Sequence, residues 1–178
     1  EEPLPWEGNG SEGSPYLIKN VSDLEALRDK VNKDGFAFSD AYFQLSEDII
    51  LPSGWKPIGA TKDGRVNLQE GANLNAFSGI FDGAGHTITV PEGGLPLFGY
   101  VRNTRIRNLN IYGKKIAGYG LVNNFEGVGL SGSAVEIDNV TLKSGSSTLK
   151  SGLLGANKTV NGYAGCSAAF VATIDRKS

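Results

Sequence analysis

The side chains able to do chemistry are few in this 178-residue sequence, and most stand alone. Asp82 is the most reactive-looking acid, with Arg105 and Arg107 following one repeat later. Paired carboxylates on neighbouring turns of a chain could perform glycosidic acid–base work. A carboxylate near arginine could serve calcium-assisted proton abstraction. Yet Asp82 lies between Phe81 and Gly83, where an Asx turn accounts for it, and no second carboxylate column is evident beside it. His86 is the single histidine, and the repeat places no serine, cysteine or carboxylate partner near it. A turn role is expected, since no His-x-x-x-His spacing suggests a metal. Cys166, the lone cysteine, is expected to be a small buried hydrophobe. Gly127, Gly129 and Gly132 do not lie between a strand and a capped helix, so they do not read as a phosphate loop.

Aromatic rings are the remaining lead. Trp55, Tyr100, Tyr112 and Tyr119 are the candidate ligand-binding residues, since sugars stack on exposed rings flanked by polar groups. Tyr100 is expected to face outward beside Val101, and Tyr112 and Tyr119 to flank the next bend. The same rings could instead cover loops. No catalytic residue, metal ligand or cofactor is assigned.

These residues must be positioned by β structure. Twenty-five glycines and a 20% charged fraction suit a turn-rich β protein. The formal charge is −2, so no basic field invites nucleic acid. No apolar run approaches the ~20 residues of a membrane helix. The chain lacks Met and begins Glu1-Glu2-Pro3, and it is expected to be a piece excised from a larger protein.

One domain is expected over residues 1–178, with a loop and first strand over 1–20, a capping helix over 21–35 and repeats over 36–178. The helix carries Leu24, Leu27 and Val31 on one face, with Ser22 as N-cap, Glu25 completing a capping box and Gly35 as stop. Trp6 is expected to plug the end of the core. Beyond the helix, paired short strands recur. Phe77-Ser78-Gly79-Ile80-Phe81 reads as one strand, and Thr87-Ile88-Thr89-Val90 as its partner after the Gly83–Gly85 bend.

Aligning the repeats gives vertical columns. Phe77, Leu97, Leu121 and Leu153 form one; Ile49, Ile88, Leu109 and Val140 a second; Leu51, Val90, Ile111 and Leu142 a third. Asp48, Thr87, Asn108 and Asn139 form a polar column at the bend. A period of about 20 to 40 residues with two short strands each is the pattern of a solenoid. Stacked Asn and Asp would satisfy backbone groups that leave the ladder at the bend.

Several motifs are distinctive. They are Phe77-x-Gly79-x-Phe81-Asp82-Gly83-x-Gly85-His86-Thr87-Ile88, Leu97-Phe98-Gly99, Ile106-x-Asn108-Leu109, and Trp55-x-Pro57-Ile58-Gly59 after Asp48-Ile49-x-Leu51. Together they resemble the GLUG-type β-helical repeats of bacterial surface and secreted proteins. Similar segments occur in adhesins and in non-catalytic regions of immunoglobulin-A-protease-type metallopeptidases. Ser14-Pro15-Tyr16-Leu17-Ile18 and the helix after it match the usual start of such regions. The resemblance covers residues 14–142, and departs at Asn123, where these repeats usually carry glycine.

The resemblance implies an all-β fold, a right-handed single-stranded parallel β-helix of pectate-lyase-like shape with an N-terminal capping helix. It implies a location outside a bacterium or on its surface, and no common enzymatic activity. The expected function is a non-catalytic module that binds a glycan or a host or bacterial surface protein, or acts as a spacer. The alternative is a polysaccharide-degrading lyase or glycoside hydrolase. No membrane insertion is expected. Self-association is expected through residues 166–174, whose apolar run Ala168–Ile174 would otherwise leave a bare strand edge.

Overall fold

The structure, a computed structural model, describes residues 3–65, 75–113, 122–126, 135–144, 154–157 and 168–176. It is mostly β, with one helix and parallel sheets. In chain order the elements are β1 (Tyr16–Ile18), α1 (Val21–Asn32), β2 (Tyr42–Leu45), β3 (Ile49–Ile50), β4 (Ile80–Asp82), β5 (Thr87–Val90) and β6 (Phe98–Arg102). They continue with β7 (Arg105–Gly113), β8 (Val122–Glu126), β9 (Val135–Ser144), β10 (Leu154–Asn157) and β11 (Ala168–Arg176). Every pairing between these strands is parallel.

From β6 onward the chain alternates between two sheets. β6, β8 and β10 pair in one, while β7, β9 and β11 pair in the other. The larger sheet consists of two ladders joined by long bent strands. The first part of β7 pairs with β4, and its second part pairs with β5. Asn108 is the bend, in the left-handed region at φ 52°, and Asn139 repeats it in β9 at φ 52°. Asparagine tolerates this backbone better than other residues with a Cβ.

Apolar side chains point between the ladders in columns. Phe43, Phe81, Ile106 and Ile137 are register partners and all buried. A second column is Ile49, Ile88, Ile111 and Leu142. Each such side chain contributes about 1.5–3 kcal/mol by leaving water.

The structure corrects the expected columns. Ile88 lies beside Ile111 rather than Leu109, although Leu109 does lie beside Val140. The cause is corner length. The chain takes Gly83 to His86 to turn between Asp82 and Thr87, but only Asn108 and Leu109 between Arg107 and Asn110. Gly83 must be glycine because Leu109 of the next strand lies over it; a Cβ would come 2.7 Å from the Leu109 Cα. The two extra residues are a turn with Ala84 at φ 50° and Gly85 at φ 82°.

Phe77 and Phe81 also do not share one strand. Phe77 bridges Val101 beside β6, then Ser78 and Gly79 carry the chain to β4. Phe77 likewise leaves the column of Leu97, because Ile58 is the residue that bridges Phe98. Leu121, Leu153 and Cys166 lie outside the described residues.

The helix closes one end. It spans Val21–Asn32, shorter than expected, and its cap is Asn20, not Ser22. The Asn20 side chain accepts from Asp23 N–H at 2.9 Å, and Asp23 accepts from Lys19 N–H at 3.0 Å. Asn20 is the residue still in extended backbone, so its carbonyl starts the helix and its side chain reaches the third helical N–H. Leu24, Leu27 and Val31 join the core. Trp6 is buried there, its ring 5.4 Å from that of Phe43 and its Nε1–H donating to Asp23 O.

Asn32, at the helix end, is 3% exposed. Its amide donates to Pro57 O at 2.9 Å and its carbonyl accepts from Gly59 N–H at 2.8 Å. Ile58, between these residues, pairs with Phe98 on its other side. The side-chain amide thus stands in for a neighbouring strand and satisfies an edge that would otherwise be bare.

Candidate ligand-binding groove

The outer face of the β2–β4–β7–β9 ladder is fixed by the alternation of its strands. With Phe43, Phe81, Ile106 and Ile137 inside, the flanking residues point out. They form two columns: Tyr42, Ile80, Arg105 and Glu136, and Gln44, Asp82, Arg107 and Asp138. A groove of about 410 Å³ runs beside the first column. Its second wall is the turn before β2, β4 and β7, supplied by Asp40, Ser78 and Asn103. Asp40 and Asn103 both have left-handed backbone, at φ 61° and φ 48°.

Charges on this face are interleaved. Arg105 Nε lies 3.1 Å from Glu136 Oε2, and Arg107 Nε lies 3.1 Å from Asp82 Oδ2. The Arg107 guanidinium also lies 5.9 Å from the Tyr42 ring centroid. Asp82 Oδ1 accepts from Ala84 N–H at 2.8 Å, which is the expected Asx turn, and is approached at 3.4 Å by Asn108 Nδ2. Asn139 Nδ2 in turn donates to Asn108 Oδ1 at 2.9 Å. The polar ladder of the corner is therefore Asp82–Asn108–Asn139. Thr87 belongs elsewhere, opposite Asn110.

Asp48 serves that other corner. Its Oδ1 accepts from Thr87 N–H at 2.9 Å and lies 3.2 Å from His86 Nδ1. His86 thus has a carboxylate partner after all, one strand below. The Thr87 N–H, then the His86 hydrogen bond, hold the Asp48 carboxyl below the usual range. Thr61 and the Asp63 backbone N–H do the same for the exposed Asp63. Among the described residues no three His, Cys, Asp or Glu side chains gather as metal ligands would.

The aromatic candidates are placed differently from expectation. Trp55 is 3% exposed, with its Nε1–H donating to Pro96 O at 3.2 Å and Arg28 stacked 5.1 Å over its ring. Tyr100 is 7% exposed on β6. Both rings are buried, so their expected exposure is corrected. Tyr112, at the end of β7, is 42% exposed. Tyr119 lies outside the described residues. The groove residues Tyr42, Asp40, Asn103 and Glu136 were missed. Tyr42 was legible as the polar-side neighbour of Phe43, but the pairing of Arg105 with Glu136 needed the register.

Fold and groove define a β-rich module of stacked parallel strands with a polar outer trough. The chain shares its fold with a crystal structure from Bacteroides ovatus described as "a putative immunoglobulin A1 protease". The TM-score is 0.57 and the identity 21%, over 92% of this chain and 47% of that one. Halomucin of Haloquadratum walsbyi is 28% identical over 172 residues, 90% of this chain. The chain spans 2% of halomucin's length. No protein-family model matches the sequence.

Proposed function

We propose that this chain is a single right-handed parallel β-helix domain of the GLUG-repeat type, working outside the cell or on its surface as a non-catalytic binding or spacing module. The observation that carries the reading is the alternation of β6 to β11 between two parallel sheets, each visit landing beside the previous one. A right-handed solenoid produces that order by winding. The likeness to the Bacteroides ovatus structure over 92% of this chain supports the fold. The resemblance of the repeat motifs to those of surface and secreted proteins supports the extracellular setting, and the likeness to halomucin is consistent with it.

The face bearing Asp82, Glu136 and Asp138 favours the second reading, a polysaccharide-degrading enzyme. Two of these carboxylates are already engaged by arginine, which suits recognition better than proton transfer. A glycan array, run with reducing-sugar and lyase-product assays on the same sample, tests the two together. Binding without product supports the module; steady product release overturns it. Tyr112 is the aromatic candidate that presents its ring to solvent, and it offers a second contact point. A second copy pairing along β11 belongs to the same reading. Light scattering over roughly 0.01–1 mM should show association that Phe170→Lys abolishes, and a strict monomer throughout overturns it.

A further inference from the structure

We propose that the groove beside β2, β4, β7 and β9 binds an uncharged polysaccharide laid along the stacking direction, with the side chains of Asp40 and Asn103 as its hydrogen-bonding anchors. The inference rests on the module reading above and adds the place and the ligand class.

The first argument is shape. Tyr42, Ile80, Arg105 and Glu136 are register partners in four successive parallel strands, so the groove follows the stack rather than a single strand. At about 4.8 Å per strand the column covers about 14 Å. An extended chain molecule fits such a trough better than a compact metabolite, and the lining is too polar for a lipid. Ile80, 6% exposed, and Tyr42, whose ring Arg107 approaches, line its floor.

The second argument is what the polar groups do. Asp40 and Asn103 are held in left-handed backbone, which costs a residue with a Cβ about 1–2 kcal/mol. At Asn108 and Asn139 the same backbone aims the side chains into an internal ladder. At Asp40 and Asn103 the side chains make no hydrogen bond or ion pair with any described residue, and both line the groove. The turn fixes their backbone, and their side chains are available to a ligand.

The third argument is charge. Glu136 neutralises Arg105, which leaves Asp40 as the uncompensated charge among the described residues of the lining. A single negative charge repels uronic, sulfated or phosphorylated polymers and accepts hydrogen bonds from sugar hydroxyls.

The test uses the whole chain and isothermal titration with neutral hexasaccharides of glucose, mannose and galactose, and with hexagalacturonate as the acidic counterpart. At least one neutral hexasaccharide should bind, and hexagalacturonate should not. Asp40→Gly and Asn103→Gly should each weaken binding by about tenfold or more, because glycine accepts the backbone while removing the anchor. Circular dichroism should show both variants folded. Binding that prefers the acidic polymer, that survives both substitutions, or that is lost only with Tyr112→Ala overturns the groove assignment and leaves the module reading intact. No binding across the panel also overturns it, while a spacer role stands. Product release by the wild type defeats the non-catalytic reading without touching the groove.

Discussion

Asn103 and Asn108 lie five positions apart and share a backbone conformation, yet the fold uses them in opposite ways. Asn108 turns β7 between two ladders, and its side chain is locked between Asp82 below and Asn139 above. Asn103 turns the chain between β6 and β7, and its side chain faces the groove with no such partner. A left-handed asparagine in this protein is therefore either a stabilising rung or a presented polar group, and the strands stacked above and below decide which. Where the side chains stacked at a corner are also Asn or Asp, they satisfy each other. Where they are not, the polar group is left for solvent or ligand.

The strongest test of the laddered corner is the core residue behind it. Leu109 is 1% exposed and lies beside Val140, so Leu109→Ala should cost about 2–5 kcal/mol in urea unfolding. A loss below about 1 kcal/mol would refute the pairing of β7 with β9 in this register.

Asn108→Ala comes next, at about 1–3 kcal/mol from the lost ladder. Asn108→Gly separates the causes. Glycine relieves the backbone but cannot form the ladder, so most of that loss should remain. If Asn108→Gly is as stable as the wild type, the ladder contributes nothing and the comparison fails.

Asn103→Gly should change stability by no more than about 0.5 kcal/mol, since the strain it relieves is offset by the added chain entropy of glycine and no internal hydrogen bond is lost. A loss as large as that of Asn108→Gly would show that Asn103 too has a structural partner.

The smallest effect concerns the other corner. Asp48 has its pKa lowered by the Thr87 N–H and His86, so its contribution is present above the ordinary carboxylate pKa of about 4. That contribution is lost as pH falls through the depressed value. Asp48→Asn should thus lower the melting temperature slightly near pH 6, with the gap closing below about pH 4. An unchanged gap across that range would show that the ionised form is not what the corner uses.

Composition and spacing alone determined a β protein with one amphipathic helix, the strand Thr87–Val90, and Asn108 and Asn139 as stacked corner residues. These are local or periodic properties. Alternation names the inward side chains, and a helix carries its own apolar stripe. The N-cap slipped from Ser22 to Asn20 because both are good caps, and the backbone angle at the cap decides between them.

Only the tertiary structure decided the register. Corners of two and four residues are equally good turns in a sequence, but they shift every later partner by two positions, a slip that parity cannot reveal because it keeps the same side chains inside. That shift is why Ile88 meets Ile111 and why Asp82 starts the ladder. The groove is likewise a tertiary product. Tyr42, Ile80, Arg105 and Glu136 are far apart along the chain and become neighbours only when four parallel strands are set in register.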